Sequence, residues 1–550
     1  MNNGHPLLDS AFSPNTTHAV NPEWGSFDHQ GHGTEMAGLA LYGPLNDVLL
    51  SKEELKLQHQ LESIKILPPH GVNDPPDYGP ITVKAMEIAN TIDSDRSRVF
   101  SMAVTANGNE LGRPSLWSAS IDQSCAGVDD GVQKLLIVST GNLWDHGKNY
   151  PDDNYLASIE DPAQSWNALT VGAYTELSTI REQGFDGFQP IAMPGSLSPT
   201  SLTSVLWNDS SWPYKPDVVF EGGNRLKDDK GTILCADDLE LLTTQLTEDS
   251  NNLLGTSRDT SAATAQVARI AAILQSEYPD YWPETIRGLI VHSAEWTDRM
   301  LEEFPSSPQK EREQRLKVYG MGVPNLERAR DSASGFTTMI IQDALQPYYY
   351  DDLDNKDKSN EMHLHDLPLP TKVLEDLADT QIKMRVTLSY FIEPNPPRRG
   401  YVVKYNYKSH GLRFSVIRPH ETLQQMRLRL NKDSWPEKNR KDRKRPEPVI
   451  PDNRNWDLGE RLTNRGSIHS DTWNGTAAEL AASRHICVYP VSGWWRNKTS
   501  EKSIEKKARY SLIVTISTDN TELKLYEGVV NEIESRAKVR SITATEIDIN

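Results

Sequence analysis

The chain has 550 residues, of which 37% are hydrophobic and 25% are charged. This is enough apolar sequence to bury more than one core at this length. Acidic residues number 77 and basic residues 58, a net charge of −19, which argues against nucleic acid or an anionic membrane as the main partner. No apolar run approaches the ~18 residues of a membrane-spanning helix. The 3 cysteines are too few for a disulfide framework or a four-thiolate zinc site.

Residues 1–335 predict an α/β fold, a parallel sheet flanked by helices. Short apolar runs at 135–138 and 218–220 are typical of buried parallel strands. Apolar residues at helical spacing predict a helix over 261–276, and a second helix is expected to begin near Pro283. Strands that alternate with helices indicate a layered α/β domain.

The character of the sequence changes after this part. Residues 336–378 are acidic and polar, which predicts a linker. Within 379–550, apolar and polar residues alternate at 382–390, 412–416 and 510–516. This period indicates half-buried antiparallel strands. We therefore expect an all-β C-terminal domain, a jelly roll or a sandwich.

Three short segments carry candidate chemistry, although each also has a purely structural explanation. His32 lies between two glycines where a helix is predicted to begin, but a glycine-rich turn would contain the same residues. Asn142 follows a buried strand and could donate its amide to an oxyanion, or it could form an ordinary turn. Ser261 opens a helix of small residues, as a nucleophile or as a simple N-cap.

In chain order these segments resemble the subtilisin-like serine proteases (subtilases, peptidase family S8). The order is a Gly-flanked histidine, a strand ending in Gly-Asn, and Thr-Ser-x-Ala before a small-residue helix. The Lys-Pro-Asp-Val-Val sequence at 215–219 and the helix sequence at 285–290 are similar to family segments as well. The resemblance covers residues 1–330. Several independent motifs in the family's order are much more specific than any one alone.

The resemblance implies a subtilisin-like fold and a serine endopeptidase that works through an acyl-enzyme. Ser261 would attack the scissile carbonyl, and His32 would act as base and then as acid. Asn142 and the backbone N–H of Ser261 would bind the oxyanion.

The strand at 99–104 lies where subtilases bind an extended substrate. Ser101, Met102 and Ala103 are therefore candidate substrate-binding residues, although an ordinary core strand would have the same pattern.

Two serines compete for the role of nucleophile. The sequence Gly-Thr-Ser ending at Ser257 matches the family literally, but Arg-Asp-Thr-Ser comes directly after it. Ser261 is followed by Ala-Ala-Thr-Ala-Gln-Val-Ala, which matches the family's x-Ala-x-Pro-x-Val-Ala with Ala265 in place of proline. We therefore predict Ser261. Asp259 stands where the family has glycine. The backbone conformation just before Ser261 is therefore not predicted by the resemblance.

The carboxylate that should orient the histidine is missing from the sequence. In the family it precedes the histidine on a strand ending Asp-Ser/Thr-Gly, and residues 2–8 resemble the family segment directly after that motif. Asp9 and Asp28 fit loops better. Either the chain continues upstream or the protein has lost the residue. We expect a fragment with reduced activity, because losing the Asp would also remove a central strand.

The main alternative is a catalytically inactive, subtilase-like protein that binds peptides. Retention of the histidine, asparagine and serine together argues against it. An α/β-hydrolase esterase is excluded, because its serine lies in Gly-x-Ser-x-Gly and precedes the histidine.

The expected partners are polypeptide substrates, with no nucleic acid and no membrane. The basic run at 438–445 is expected to be a solvated loop. Some large subtilases work beside a partner ATPase, but no motif here indicates one. We expect no cofactor, since no loop has the ligand spacing of the calcium sites common in the family. The low cysteine content favours a cytoplasmic location.

Overall fold

A computed structural model divides the chain into two compact units. The first consists of 1–286 and 293–326, and the second of 287–292 and 327–550. The basic run at 438–445 lies outside the described residues. The described residues are 1–52, 54–108, 111–144, 148–208, 211–246, 252–334, 338–353, 356–367, 369, 371–395, 407–419, 421–433, 455–497, 503–518 and 542–543.

The first unit alternates strands with helices, as predicted. Its strands are β1 (Phe12–Ala19), β2 (Leu61–Lys65), β3 (Val99–Met102), β4 (Leu135–Ser139), β5 (Leu169–Thr175), β6 (Gln189–Pro190), β7 (Ser196–Leu197), β8 (Val218–Glu221), β9 (Leu226–Lys227), β10 (Ile233–Leu234), β11 (Leu241–Thr244) and β12 (Leu254–Ser257). The helices in the same part of the chain are α1 (His32–Tyr42), α2 (Leu45–Leu50), α3 (Tyr78–Ile92), α4 (Leu116–Cys125), α5 (Asp152–Leu156), α6 (Asp259–Glu277), α7 (Pro283–Ser293), α8 (Asp298–Glu303) and α9 (Gln309–Tyr319). Residues 287–292 of α7 are assigned to the second unit.

The sheet of the first unit is parallel at its centre. β3, β4, β5 and β8 are hydrogen-bonded in that order and run parallel, and β7 joins β5 antiparallel. All five residues of β4 are buried, as its continuous apolar run predicts. Helix α6 packs across β3, β4, β5 and β8. The expected α/β fold is confirmed, and the carboxyl ends of its parallel strands meet at one edge.

The sheet is interrupted between β2 and β3. β1 and β2 form a parallel pair of their own, and no ladder joins them to the larger sheet among the described residues. Arg98, just before β3, nevertheless binds Glu62 on β2 through two hydrogen bonds of 2.6 and 3.2 Å. Val99 and Phe100 are only half-buried and Ser101 is exposed. β3 is therefore an open edge that has β2 as a neighbour but not as a hydrogen-bonded partner.

The second unit is rich in antiparallel strands. They are β13 (Thr338–Leu345), β14 (Tyr348–Asp351), β15 (Lys356–Ser359), β16 (His363–Asp366), β17 (Gln381–Ser389), β18 (Gly411–Val416), β19 (Ile468–Thr476), β20 (His485–Val491), β21 (Ala508–Ser517) and β22 (Ile542–Thr543). The helices from residue 326 onward are α10 (Leu326–Ser334), α11 (Thr371–Asp376), α12 (Leu423–Asp433), α13 (Glu460–Thr463) and α14 (Ala477–Ala482).

Two four-stranded antiparallel sheets form the frame of this unit. Their orders are β13–β21–β17–β19 and β18–β20–β16–β22. The hydroxyl of Tyr510 on β21 lies 2.8 Å from a ring nitrogen of His363 and 2.8 Å from one of His365 on β16. These bonds connect the two sheets. The antiparallel strands predicted from alternation at 382–390, 412–416 and 510–516 are present as β17, β18 and β21.

The segment 336–378, which was expected to be a linker, contains strands of the second unit. β13 pairs with β21 over eight residues, from Thr338 opposite Thr515 to Leu345 opposite Ala508. Only two of the eight side chains of β13 are buried. Backbone pairing with β21 holds it in the sheet. Residues 338–345 therefore belong to a sheet of the second unit and not to a linker.

Among the described helices, none is both long enough and apolar enough to cross a bilayer.

A buried ion pair anchors the strand that leads into β8. Lys215 Nζ lies 2.6 Å from Asp217 Oδ2, and the two side chains are 1% and 7% exposed. We expect Asp217→Asn to lower the free energy of unfolding by about 3–5 kcal/mol, because it leaves the ammonium buried without its counter-charge. Glu302→Gln is the control. It removes the partner of Arg299 in an ion pair whose side chains are 50% and 66% exposed, and should cost at most about 1 kcal/mol. Urea denaturation followed by tryptophan fluorescence measures both, and equal losses would contradict the prediction.

Candidate active site

Asn142 is fixed against the beginning of α6. It lies just beyond the carboxyl end of β4, where its Oδ1 accepts the backbone N–H of Thr260 (3.1 Å) and the Thr260 hydroxyl (2.8 Å). The same hydroxyl lies 3.1 Å from the carbonyl oxygen of Gly141. A backbone N–H can only donate, so the oxygen of the Asn142 amide must face Thr260. The NH₂ group therefore keeps its donors for another acceptor.

The two candidate serines have different surroundings. Ser261 is the third residue of α6, which begins two residues earlier than predicted, and it is 8% exposed. Ser257 ends β12, and its hydroxyl donates to Glu35 Oε2 at 2.9 Å. A serine in the first turn lies where the free backbone N–H groups of the helix stabilise negative charge. Ser257 lies outside that turn and already has an acceptor.

His32 is the first residue of α1 and is exposed. Within the described residues, no hydrogen bond connects it to Ser261 or to a carboxylate. Gly31 before it has φ +89°, a conformation that glycine adopts readily. The helix does begin at the histidine, as predicted from its flanking glycines.

Asp28 caps α1 and does not bind the histidine. Its Oδ1 accepts from the backbone N–H of Gly31 (2.9 Å), and its Oδ2 accepts from the N–H and the hydroxyl of Thr34 (both 2.8 Å). Burial alone would raise the pKa of this carboxyl, but the hydrogen bonds from Thr34 and Gly31 outweigh it and lower the pKa. Asp28 thus lies in the loop before α1, where the sequence analysis expected it.

Helices α1 and α6 pack directly on each other. Met36 and Leu39 of α1 form one buried cluster with Ala262 and Ala265 of α6, and Ala103 packs against it. The small residues after Ser261 permit this close contact. The histidine and the serine thus lie in the first turns of two helices that share a core.

The three candidate substrate-binding residues differ in accessibility. Ser101 is exposed on the open edge of β3, whereas Met102 is 7% exposed and lies in the core with Trp117 and Ile121. Ala103 is half-buried, just past the end of the strand. The side chain of Met102 is thus turned into the core and is not accessible to a peptide.

Asp259 adopts the left-handed conformation that a glycine would have at this position. Its φ is +68°, which is uncommon for a residue with a Cβ although aspartate tolerates it better than most. Its Oδ1 lies 2.5 Å from Arg225 Nη2 and 2.9 Å from the Thr200 hydroxyl. These contacts fix the residue two positions before Ser261. Sequence reasoning identified the unusual aspartate but missed Arg225 and Thr200, which lie far from it in the chain.

No group of three or more His, Cys, Asp or Glu side chains within the described ranges could hold a metal ion.

The first unit is thus an α/β domain in which Asn142 lies just beyond β4, while Ser261 and His32 lie in the first turns of two helices that pack on each other. Residues 1–322, more than half of the chain, match the subtilase family, peptidase S8. The chain therefore belongs to the subtilase family.

Solved structures with a similar fold are proteases. A lanthipeptide protease has 16% identity and a TM-score of 0.38, with 60% of this chain and 84% of that chain covered. A cold adapted subtilisin-like serine proteinase has 16% identity and a TM-score of 0.34, covering 54% and 78%. The epidermin leader peptide processing serine protease EpiP from Staphylococcus aureus has 14% identity and a TM-score of 0.36, covering 60% and 73%. No curated protein sequence matches the chain.

The positive φ of Asp259 gives a test of the helix start. Asp259→Gly and Asp259→Ala both remove the carboxylate that binds Arg225, but only glycine adopts φ +68° without strain. We expect the alanine variant to be less stable than the glycine variant by about 1–2 kcal/mol in chemical denaturation. At the exposed Asp229, glycine should be no more stable than alanine. If the alanine variant were less stable than the glycine variant by the same amount at both positions, the prediction would be contradicted.

Proposed function

We propose that the protein is a serine endopeptidase. The Ser261 hydroxyl attacks the scissile carbonyl carbon while His32 takes its proton, and the oxygen becomes an oxyanion. His32 then gives the proton to the leaving amine, and water hydrolyses the acyl-enzyme by the same steps. The observation that carries the proposal is the contact of Asn142 with Thr260. This contact uses only the oxygen of the Asn142 amide, so its N–H donors remain for an oxyanion near the serine at the start of α6.

A further parallel strand between β2 and β3 is proposed to supply the missing carboxylate. Support comes from the facing edges of β2 and β3, which are not paired with each other among the described residues. The Arg98–Glu62 ion pair keeps these two strands as neighbours. An unpaired edge inside a parallel sheet exposes backbone groups that a strand would satisfy. In subtilisin, loss of the aspartate alone lowers kcat by about 10⁴-fold, so reduced activity is expected.

The alternative is an inactive subtilase-like protein that holds peptides. The observation in its favour is the exposed His32, which no described carboxylate orients. A histidine without such a partner is a poor base for serine, because neither its tautomer nor its imidazolium form is stabilised.

Labelling with a fluorophosphonate probe tests the proposed nucleophile. We expect Ser261→Ala to abolish labelling and Ser257→Ala to retain it, because the Ser257 hydroxyl is bound to Glu35. The chain should label weakly, because no described carboxylate orients His32. Loss of labelling in Ser257→Ala alone would contradict the assignment. If the folded chain does not label at all, the peptide-binding alternative replaces the proposal.

The role of Asn142 is tested by two substitutions. Asn142→Ala removes the whole amide, whereas Asn142→Asp keeps an acceptor for Thr260 and loses only the N–H donors. We expect both to lower kcat by about 10²–10³-fold with little change in KM, because an oxyanion donor acts in the transition state. Steady-state kinetics of peptide cleavage measures this. A raised KM at unchanged kcat would instead indicate a structural role.

A further inference from the structure

Glu160 is a half-buried carboxylate beside the proposed oxyanion site. Its backbone N–H donates to the carbonyl of Thr140 at 3.0 Å, and its Oε2 accepts from the Thr105 hydroxyl. Within the described residues, no Lys, Arg or His lies in salt-bridge distance of it. A carboxylate partly removed from water is costly unless a cation compensates it.

Three backbone segments enclose this carboxylate. Ala106 and Asp161 exchange two backbone hydrogen bonds of 2.8 and 3.2 Å, which join the segment after β3 to the segment of Glu160. Gly141 forms the third side, and a Cβ on it would lie 2.8 Å from Glu160 Cδ. Only a glycine at this position leaves space for the carboxyl group. Glu160 therefore contacts the backbone directly before Asn142.

The carboxyl group of Glu160 has little to offset its burial. Burial raises the pKa of Glu160, and the hydrogen bond from Thr105 only partly opposes this. The neighbouring Asp161 differs, because its Oδ1 accepts from the hydroxyl of Ser115 (2.6 Å) and from Gln164 Nε2 (2.9 Å). Of the two adjacent acids, Glu160 is thus the one with fewer hydrogen bonds and the better candidate to bind a cation.

We propose that Glu160 selects substrates with lysine or arginine on the acyl side of the scissile bond, an inference that rests on the proposed function. When the carbonyl carbon lies at Ser261 and its oxygen at Asn142, the side chain of that substrate residue leaves the peptide close to the oxyanion site. Glu160 contacts Gly141, the residue before Asn142, and binds Thr105 at the end of the proposed substrate strand. Its carboxylate would bind the ammonium or guanidinium group.

Cleavage kinetics provide the first test. Fluorogenic peptides that differ only at the acyl-side residue (Arg, Lys, Gln or Leu) are compared as substrates of the chain. We expect kcat/KM for Arg and Lys to exceed that for Leu by at least about tenfold. Glu160→Gln, which keeps an acceptor for Thr105, should lower kcat/KM for the Arg and Lys peptides to about the value for the Leu peptide. Glu176→Gln, at an exposed carboxylate after β5, should leave the ratio unchanged. An active enzyme with no basic preference, or one unaffected by Glu160→Gln, would overturn the inference while the proposed function stands.

Ligand binding provides a second test that does not need catalysis. Benzamidine is a compact aryl cation, and benzamide is its neutral counterpart of similar shape. On the Ser261→Ala variant, calorimetry should show benzamidine binding at least about tenfold more tightly than benzamide, and Glu160→Gln should remove the difference. Equal binding of the two compounds would overturn the inference. If benzamidine is preferred but the wild-type chain neither labels nor cleaves, the cation site stands and the proposed function fails.

Discussion

The candidate site depends on the hydrogen bonds between Thr260 and the turn after β4. Thr260 donates to Asn142 with its N–H and its hydroxyl, and the hydroxyl also lies within hydrogen-bond distance of the Gly141 carbonyl. These bonds join the carboxyl end of a buried parallel strand to the first turn of α6. Because Thr260 is fully buried, water does not compete for them. The serine after it and the amide that receives the bonds are consequently held in one geometry.

The start of α6 is stabilised in a way that is unusual for its position. A glycine would reach a positive φ without strain, whereas Asp259 reaches it with a carboxylate bound to Arg225, whose side chain is 3% exposed. The ion pair offsets the backbone strain, and it gives the arginine its counter-charge. A substitution that appears damaging in the sequence is therefore compensated by a residue thirty-four positions away.

The open edges of β2 and β3 and the exposed His32 are two aspects of one structural feature. Sheet pairing is interrupted between β2 and β3, and no described carboxylate binds His32, since Asp28 is used to cap α1. The first turn of α6 and Asn142 are well packed, whereas His32 has no orienting group among the described residues. The proposed peptidase and its peptide-binding alternative differ in what fills that interruption.

The sequence by itself determined the fold class of both units and the order of the candidate residues. Buried parallel strands have continuous apolar runs, half-buried antiparallel strands alternate, and the helix over 261–276 is indicated by its period, so these elements were predictable from local pattern. It also favoured Ser261 over Ser257, through the residues directly after each.

Only the tertiary structure decided what depends on residues distant in the chain. It assigned Ser257 to Glu35, Asp259 to Arg225, and Glu160 to the space beside Gly141. It also placed β13 in a sheet, although the acidic and polar residues that follow it in 336–378 had indicated a linker. Backbone pairing and long-range hydrogen bonds leave little periodic signal in the sequence, because they constrain where a residue lies rather than how polar it is.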